Sequence, residues 1–295
     1  MIVVIGSGFL GSYVLRYASA HTEEKRIGTF RAHGNIPRID GVDWVECDVT
    51  RQEDLHRLSQ RCAGEKLTVF YFAACHNIDF VLEHPQEALK INVDALRDVL
   101  DALPNIEKLF FASTDCVYGE NDAQHPTFSE DAPCAPKNVY GQQKALAEQI
   151  VHEHGFTVTR LPYMFGPSLT QKPHFFDTAS EALRSGKPIR MIDGLYRSAL
   201  SYETAAQILF ALSRLPADAL PQTVNMCGDC GYSKYELGCL FAQKADAPLS
   251  LVEKISEEQG KAFFKDYRAH SAVMDNTRLK KLLGCSSIQV EGIVW

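Results

Sequence analysis

Tyr140 and Lys144 are the residues whose types and spacing point most directly to chemistry. They are four residues apart in a stretch with a helical pattern, from about 139 to 154, so their side chains share one helix face. An ammonium nearby favours the phenolate and lowers the tyrosine pKa from its usual value of about 10. We predict that Tyr140 exchanges a proton with a substrate oxygen. Because this spacing is common, a surface pair is the alternative.

A second polar group follows an apolar run, residues 108–112, that we predict to be a buried strand. Ser113 and Thr114 come directly after it, and the helix of Tyr140 is the next one along the chain. Ligands of open α/β sheets bind at the carboxyl ends of the strands, so we expect these hydroxyls to emerge beside Tyr140. Thr114 would hydrogen-bond a reacting carbonyl or alcohol. The alternative is that Ser113 and Thr114 only cap a turn.

The elements that would position these residues begin with a short apolar strand, residues 1–5, and the glycines Gly6, Gly8 and Gly11. A strand, this G-x-G-x-x-G spacing and then a helical pattern are typical of a dinucleotide-binding βαβ unit. Gly6 would allow the turn, Gly8 the approach of a pyrophosphate, and Gly11 the close packing of helix on strand. Free N–H groups at the helix start would face the phosphates. An ordinary glycine-rich turn is the alternative.

Strands and helices alternate up to about residue 166, which predicts an α/β fold with a doubly wound, Rossmann-type parallel sheet. The alternation then loosens, and we interpret the rest as a smaller α/β substrate lobe. The predicted domains are 1–166 and 167–295, with part of the later chain able to return to the first domain. The predicted strands are 26–30, 42–46, 67–72, 108–112, 157–160, 188–192, 222–226 and 249–253; the predicted helices are 51–61, one starting at Pro85, 139–154, 174–185, 203–214 and 233–244.

Together these motifs resemble the extended short-chain dehydrogenases/reductases, in the nucleotide-sugar epimerase/reductase group, over nearly the whole chain. Within that group they most resemble the dTDP-4-dehydrorhamnose reductases. Beyond the glycines and the tyrosine–lysine pair, the resemblance rests on Cys47-Asp48-Val49, Phe72-Ala73-Ala74, Ile91-Asn92-Val93, the segment from Ser113 to Gly119, and the segment from Arg160 to Pro167.

The resemblance implies that Thr114 is the catalytic hydroxyl, Tyr140 the acid/base, and Lys144 the residue that lowers its pKa and holds the nicotinamide ribose. Arg197 would grip a nucleotide diphosphate through its planar guanidinium, with help from Arg268. We predict coenzyme contacts from Gly6, Gly8, Phe9, Leu10, Gly11, Arg31, Asp48, Val49, Phe72, Ala73, Ala74, Tyr140, Lys144, Pro162 and Tyr163. We predict substrate contacts from His76, Asp115, Arg197 and Arg268. Solvated surface arginines and a structural loop histidine are the alternatives.

The end of the second strand bears on the choice of coenzyme. The segment from Gly28 to His33 contains Arg31 and no carboxylate. An acidic residue here usually holds the ribose 2′-OH of NAD, whereas an arginine pairs with the 2′-phosphate of NADP. We therefore predict NADP(H), with NAD(H) as the alternative.

The triplet Thr114-Asp115-Cys116 bears on the reaction. The related dehydratases have Thr-Asp-Glu here, and a cysteine is a poor substitute for the glutamate base, which disfavours dehydration. Chain length and motif resemble the reductases of 4-keto-6-deoxy sugar nucleotides, so we predict an NADP(H)-dependent oxidoreductase. A sugar-nucleotide 4-epimerase and a non-catalytic, cofactor-binding regulatory subunit are the alternatives. Residues 198–205 depart from the usual substrate-pocket pattern.

Composition excludes several classes of partner. With 30 basic and 37 acidic residues the formal net charge is −7, which disfavours a nucleic-acid surface. We find no 18-residue apolar run for a membrane span, and a strand from residue 2 leaves no room for a signal peptide, so we expect a cytoplasmic protein.

We interpret the nine cysteines as thiols. The pair Cys227 and Cys230 has no second pair nearby, so we predict no metal. The resemblance implies a homodimer through helices 85–103 and 138–154.

Overall fold

Seven parallel strands form the main sheet of the computed structural model, which describes residues 1–31, 36–124 and 126–294. These strands are β1 Ile2–Ile5, β2 Arg26–Phe30, β3 Asp43–Glu46, β4 Leu67–Tyr71, β5 Ile106–Thr114, β6 Thr157–Leu161 and β10 Thr223–Asn225. Their order is β10-β6-β5-β4-β1-β2-β3, and every neighbouring pair is parallel. The predicted Rossmann-type α/β fold is confirmed.

Helices cover both faces of this sheet. They are α1 Phe9–His21, α2 Gln52–Arg61, α3 Ile78–Glu83, α4 Pro85–Leu89, α5 Ala95–Ala102, α6 Val139–Glu153, α8 Tyr202–Arg214 and α11 Thr277–Leu283. Within β1, Val3 and Ile5 pack in the core that includes α2, α5 and α6, whereas Ile2 and Val4 pack in the core that includes α1 and α8. Side chains of a strand alternate between faces, so a sheet covered on both sides requires the continuous apolar run found here.

The helix predicted from Pro85 is interrupted by a π-helical turn, Lys90–Asp94, before α5 begins. Asn92 lies in this turn and is almost completely buried. Its Oδ1 accepts from the backbone N of Cys75 at 2.8 Å, and its Nδ2 donates to Cys75 O at 3.0 Å and to Gln143 Oε1 at 2.9 Å. The turn therefore fixes the loop after β4 against α6, as π-turns near functional sites often do.

A smaller unit follows β6, with its own core around Phe165, Phe176, Leu237 and Phe241. Its strands are β7 Tyr163–Phe165, β8 Ile189–Ile192, β9 Tyr196–Ser201, β11 Gly231–Ser233, β12 Val252–Ile255 and β13 Ser271–Ala272, followed by the hairpin β14 Ser287–Gln289 and β15 Gly292–Val294. Its helices are α7 Phe175–Arg184, α9 Lys234–Lys244 and α10 Glu257–Lys261.

The later chain returns to the main sheet at β10, which pairs with β6. The sequence predicts a strand at 222–226 and a helix at 203–214 after the change in pattern, and the structure places both with the first domain, to which part of the later chain was expected to be able to return. The reason is burial, because α8 packs against α1 with Ala205, Leu209 and Leu212 fully covered. A three-residue strand carries no sequence signal of which sheet it joins.

Two further observations concern the sequence expectations on cysteines and membranes. All nine cysteines lie in the described residues, and each is a free thiol. No helix in the described ranges is long and apolar enough to cross a bilayer.

Candidate active site

One cavity of about 880 Å³ lies between the carboxyl ends of the main strands and the smaller unit. Every residue that the sequence singled out for catalysis, coenzyme or substrate lines it. Further residues line the cavity without having been predicted, and four of them are Lys172, His174, Lys234 and Phe264. They come from the smaller unit, where no motif marked them. The structure thus brings the predicted set together, and the role of each residue stays a prediction.

The three motif glycines differ in what surrounds them. Gly6 has a φ of +93°, and a Cβ there would lie 2.6 Å from the backbone N of Ala73. A Cβ on Gly11 would lie 2.5 Å from the carbonyl O of Gly6. A Cβ on Gly8 would meet no atom within 4 Å, although Gly8 lines the cavity. The fold therefore requires the first and third glycines, whereas Gly8 leaves space that a ligand would use.

The start of α1 fits an anionic group at this place. Gly8 is the N-cap, and no side chain caps the helix, so its first N–H groups are available. The Oγ of Ser7 is also buried and has no hydrogen-bond partner among the described residues. These features suit the pyrophosphate of a dinucleotide coenzyme, which backbone N–H groups and a hydroxyl would bind.

The Gly8→Ala variant tests whether the space beside Gly8 is needed for coenzyme binding and not for folding. We expect the free energy of unfolding to change by less than about 1 kcal/mol, because only the N-cap preference is affected. We expect the Kd for NADPH, measured by fluorescence titration, to rise at least about tenfold, because the methyl group would occupy the phosphate position. Gly292→Ala is the matched control, since its Cβ also meets open space, away from the cavity. Equal NADPH affinity in Gly8→Ala and wild type would contradict this assignment.

Thr114 ends β5 at the cavity and is almost completely buried. Its Oγ1 donates to Asp115 Oδ1 at 3.1 Å and accepts from the backbone N of Cys116 at 3.2 Å. Asp115 Oδ2 lies 3.3 Å from Arg197 Nε, a residue of the smaller unit. Burial raises the pKa of the Asp115 carboxyl, and the guanidinium of Arg197 opposes that shift. Asp115 therefore holds the hydroxyl of Thr114 with one carboxylate oxygen and contacts Arg197 of the smaller unit with the other.

The start of α6 positions Tyr140. Asn138 caps this helix, with its Oδ1 accepting from the backbone N of Gly141 at 2.7 Å. A Cβ on Gly141 would lie 2.5 Å from the carbonyl O of Cys116, so the helix packs directly on the segment after β5. A side chain at this position would push α6 away from the segment that carries Thr114. Tyr140 and Thr114 therefore belong to two elements in direct contact.

The pKa values of Tyr140 and Lys144 differ from our expectation. Burial raises the pKa of Tyr140, and the nearby Cys116, Asp115 and Cys75 add to the shift. The expectation that Lys144 lowers the pKa of Tyr140 is wrong in this structure. Lys144 Nζ donates instead to Ala112 O at 2.8 Å, and burial lowers the pKa of Lys144 to about 7, an effect that Glu148 opposes. Tyr140 is therefore a neutral phenol at neutral pH, able to donate a proton.

A buried ion pair lies behind this site. Arg160 Nε and Nη2 donate to the two carboxylate oxygens of Glu148 at 3.0 and 2.7 Å, and both residues are almost completely buried. Ser113 Oγ also donates to Glu148. Glu148 stands four residues after Lys144 on α6, and its contacts to Ser113 and Arg160 tie this helix to the ends of β5 and β6.

At the other end of the cavity, Arg31 is exposed and follows β2. His33 lies outside the described residues. Asp48 lies two residues after the end of β3, and its Oδ1 accepts from Thr50 N at 3.0 Å and from Thr50 Oγ1 at 2.7 Å. Burial opposes ionisation of Asp48, but these hydrogen bonds and the positive charges of Arg31 and Arg51 lower its pKa overall. Asp48 is thus a fixed carboxylate that can accept hydrogen bonds.

The histidines of the cavity are neutral at neutral pH. Burial lowers the pKa of His76, and the positive charges of Lys172 and Lys144 add to this shift. Burial also lowers the pKa of His174, whose Nε2 lies 3.2 Å from the hydroxyl of Tyr202. No group of three or more metal-ligating side chains occurs in the described part of the chain.

The comparisons assign the chain to a family. The model of the NAD dependent epimerase/dehydratase family matches residues 2–226, so the chain belongs to this family. It belongs to the extended short-chain dehydrogenase/reductase group, and a nicotinamide coenzyme is supported. The chain spans about half to three quarters of the length of the curated relatives it matches. One of them is methionine adenosyltransferase 2 subunit beta from Danio rerio, 26% identical over 251 residues that cover 82% of this chain and 74% of that protein.

Two solved structures show the same fold. The UDP-glucose 4-epimerase of Thermus thermophilus, in complex with NAD, has a TM-score of 0.79 and 21% identity, covering 95% of this chain and 92% of its own. The dTDP-4-dehydrorhamnose reductase of Bacillus anthracis, in complex with NADP, has a TM-score of 0.77 and 17% identity, covering 99% of this chain and 94% of its own.

Proposed function

We propose that the protein is an NADP(H)-dependent reductase that reduces a keto group of a sugar nucleotide, of the 4-keto-6-deoxy type. The observation that carries this proposal is the neutral, buried phenol of Tyr140, which shares one cavity with the glycine loop and Thr114. A reductase needs a protonated donor at the start of each turnover, and a phenol, whose ordinary pKa is about 10, is protonated at neutral pH.

In this proposal Tyr140 donates its proton to the carbonyl oxygen as the carbonyl becomes an alcohol. The nicotinamide, when bound, supplies the hydride. Thr114 turns its O–H, which donates to Asp115 in the structure, to the same oxygen and so orients the carbonyl. Lys144 is positioned one helical turn from Tyr140, where its side-chain nitrogen would hydrogen-bond the coenzyme ribose.

A reductase and an epimerase differ in whether they consume NADPH with each turnover. We expect purified protein to consume NADPH in proportion to an added dTDP-4-keto-6-deoxyhexose, followed by absorbance at 340 nm. An epimerase would instead interconvert UDP-glucose and UDP-galactose with bound NAD⁺ and no net consumption of NADPH. The second outcome would replace the proposed reaction. The Thermus epimerase has a similar fold, so this comparison of substrates is the decisive experiment.

The preference for NADP(H) is supported by Arg31. It is exposed at the cavity after β2, and the described residues of that segment include no carboxylate. A guanidinium can pair with a 2′-phosphate, and a carboxylate would repel it. The Bacillus reductase of similar fold is described as a complex with NADP.

Arg31→Ala tests this preference. We expect the Kd for NADPH to rise about 10- to 100-fold, because a charge-assisted contact is lost, and the Kd for NADH to change little. Both constants are measured by fluorescence titration. Arg61→Ala is the matched control, since Arg61 is an exposed arginine outside the cavity that pairs with Asp43. Comparable wild-type affinities for NADH and NADPH would overturn the preference.

A regulatory role as a subunit of another enzyme is the alternative. It is favoured by the similarity to methionine adenosyltransferase 2 subunit beta, which covers 82% of this chain. Against it, Thr114, Tyr140 and Lys144 are all present and line the cavity. Coenzyme binding without turnover of any keto sugar nucleotide would favour the regulatory role.

A further inference from the structure

Four cationic side chains of the smaller unit line the cavity. Lys172 is exposed, and two of the other three already have anionic partners. Arg197 Nε lies 3.3 Å from Asp115 Oδ2. Arg268 Nη2 lies 3.0 Å from Asp79 Oδ1. The Nη1 of Arg268 also donates to the backbone carbonyls of residues 266 and 267. Arg197 Nη1 also donates to Tyr196 O at 2.9 Å, so both guanidinium groups are partly occupied.

Arg268 has a structural task in addition. It belongs to a segment, residues 263–270, that we call the strap. Asp79 on α3 accepts from the backbone N of Lys265 and of Asp266, each at 3.2 Å, as well as from Arg268. Arg268 therefore fastens the strap to the first unit, which makes it a poor candidate for the main contact to a substrate anion.

Lys234 is the third cation, and its environment differs. It is the first residue of α9, directly after the N-cap Ser233. Its Nζ lies 5.7 Å from the ring centroid of Tyr163 and 5.5 Å from that of Phe264. Among the described residues, none forms a hydrogen bond or an ion pair with this ammonium. Burial lowers its pKa, and the positive charges of Arg268 and Arg197 add to that shift.

A largely buried ammonium beside two guanidinium groups needs a counter-charge. Aromatic faces stabilise a cation only in part, and like charges nearby oppose its protonation. A dianionic group placed in the cavity would satisfy Lys234 and the free N–H groups of Arg197 together. The charge balance favours an anion, since four cations of the smaller unit, Lys172 included, line the cavity and have only the carboxylates of Asp115 and Asp79 as partners there.

We propose that Lys234 is the main binding residue for the diphosphate of a nucleoside-diphosphate sugar, with Arg197 beside it and Arg268 holding the strap. This inference rests on the proposed function, because it takes the substrate to be a sugar nucleotide. It assigns substrate affinity to a residue that no motif in the sequence marked.

The test measures binding by calorimetry to the full-length protein with saturating NADPH, which keeps added phosphates from the glycine loop. The probes are dTDP, UDP, GDP and inorganic pyrophosphate. We expect Lys234→Met to raise the Kd of the diphosphates that bind by about 10- to 100-fold, as loss of a charge-assisted hydrogen bond does. We expect Lys234→Arg to keep most of the affinity. Lys187→Met, which removes an exposed lysine outside the cavity, is the control and should bind like wild type.

The outcomes separate the two proposals. If wild type binds a diphosphate and Lys234→Met binds it equally well, the assignment of Lys234 is wrong and the proposed function stands. If wild type binds NADPH but none of the four probes, the sugar-nucleotide function falls and this inference with it. The Kd of NADPH, measured separately for each variant, shows whether the cavity is intact.

Discussion

Replacing Tyr140 with phenylalanine is expected to lower kcat about 10²- to 10⁴-fold, the usual contribution of a positioned proton donor. The substitution removes only the hydroxyl, and the ring keeps its packing against Val81 and Ala88. The Kd for NADPH should therefore stay close to that of wild type. The measurement is the single-turnover oxidation of NADPH in the presence of a 4-keto sugar nucleotide.

The environment of Tyr140 also predicts the pH dependence. Burial raises its pKa, so the phenol keeps its proton at neutral and mildly alkaline pH. Ionisation of Tyr140 should not reduce the rate of reduction in that range. Tyr235→Phe is the matched control, because Tyr235 lies on α9 outside the cavity. A Tyr140→Phe variant as active as Tyr235→Phe would exclude Tyr140 as the proton donor and favour a regulatory protein.

Replacing Arg160 with methionine is expected to destabilise the fold by about 3–5 kcal/mol, because it leaves a buried carboxylate without its partner. Arg160 and Glu148 are 4% and 2% exposed, so water cannot replace the lost contacts. Two hydrogen bonds from the guanidinium to Glu148 would be lost. The free energy of unfolding, measured by urea titration with circular dichroism, checks this expectation.

Two further variants provide comparisons for the stability of Arg160→Met. Arg214→Met breaks an ion pair with Glu24 whose side chains are 42% and 36% exposed, and it should cost less than about 1 kcal/mol. The double variant Glu148→Leu/Arg160→Met removes both buried charges and should recover part of the stability lost in Arg160→Met. Equal losses of unfolding free energy in Arg160→Met and Arg214→Met would show that the buried ion pair contributes no more to stability than the exposed one.

The sequence alone predicts the strands β1 to β6 and the glycine loop. β1 is buried on both faces, so its residues must all be apolar, and a run of this kind before Gly6, Gly8 and Gly11 is readable without a structure. The spacing of Tyr140 and Lys144 within a helix is equally local. Such features depend on neighbours in the chain, which is why a pattern can predict them.

The partners that these side chains contact depend on the packed fold. Lys144 donates to the carbonyl of Ala112, and burial, not its spacing from Tyr140, sets both pKa values. The ion pair of Arg268 with Asp79 joins residues distant in the chain, as do the contacts of Lys234 with the rings of Tyr163 and Phe264. Strand β10 pairs with β6, although the two are far apart in sequence. The physical reason is that burial, charge pairing and strand addition depend on the packed surroundings, and these long-range contacts leave no periodic signal in the chain.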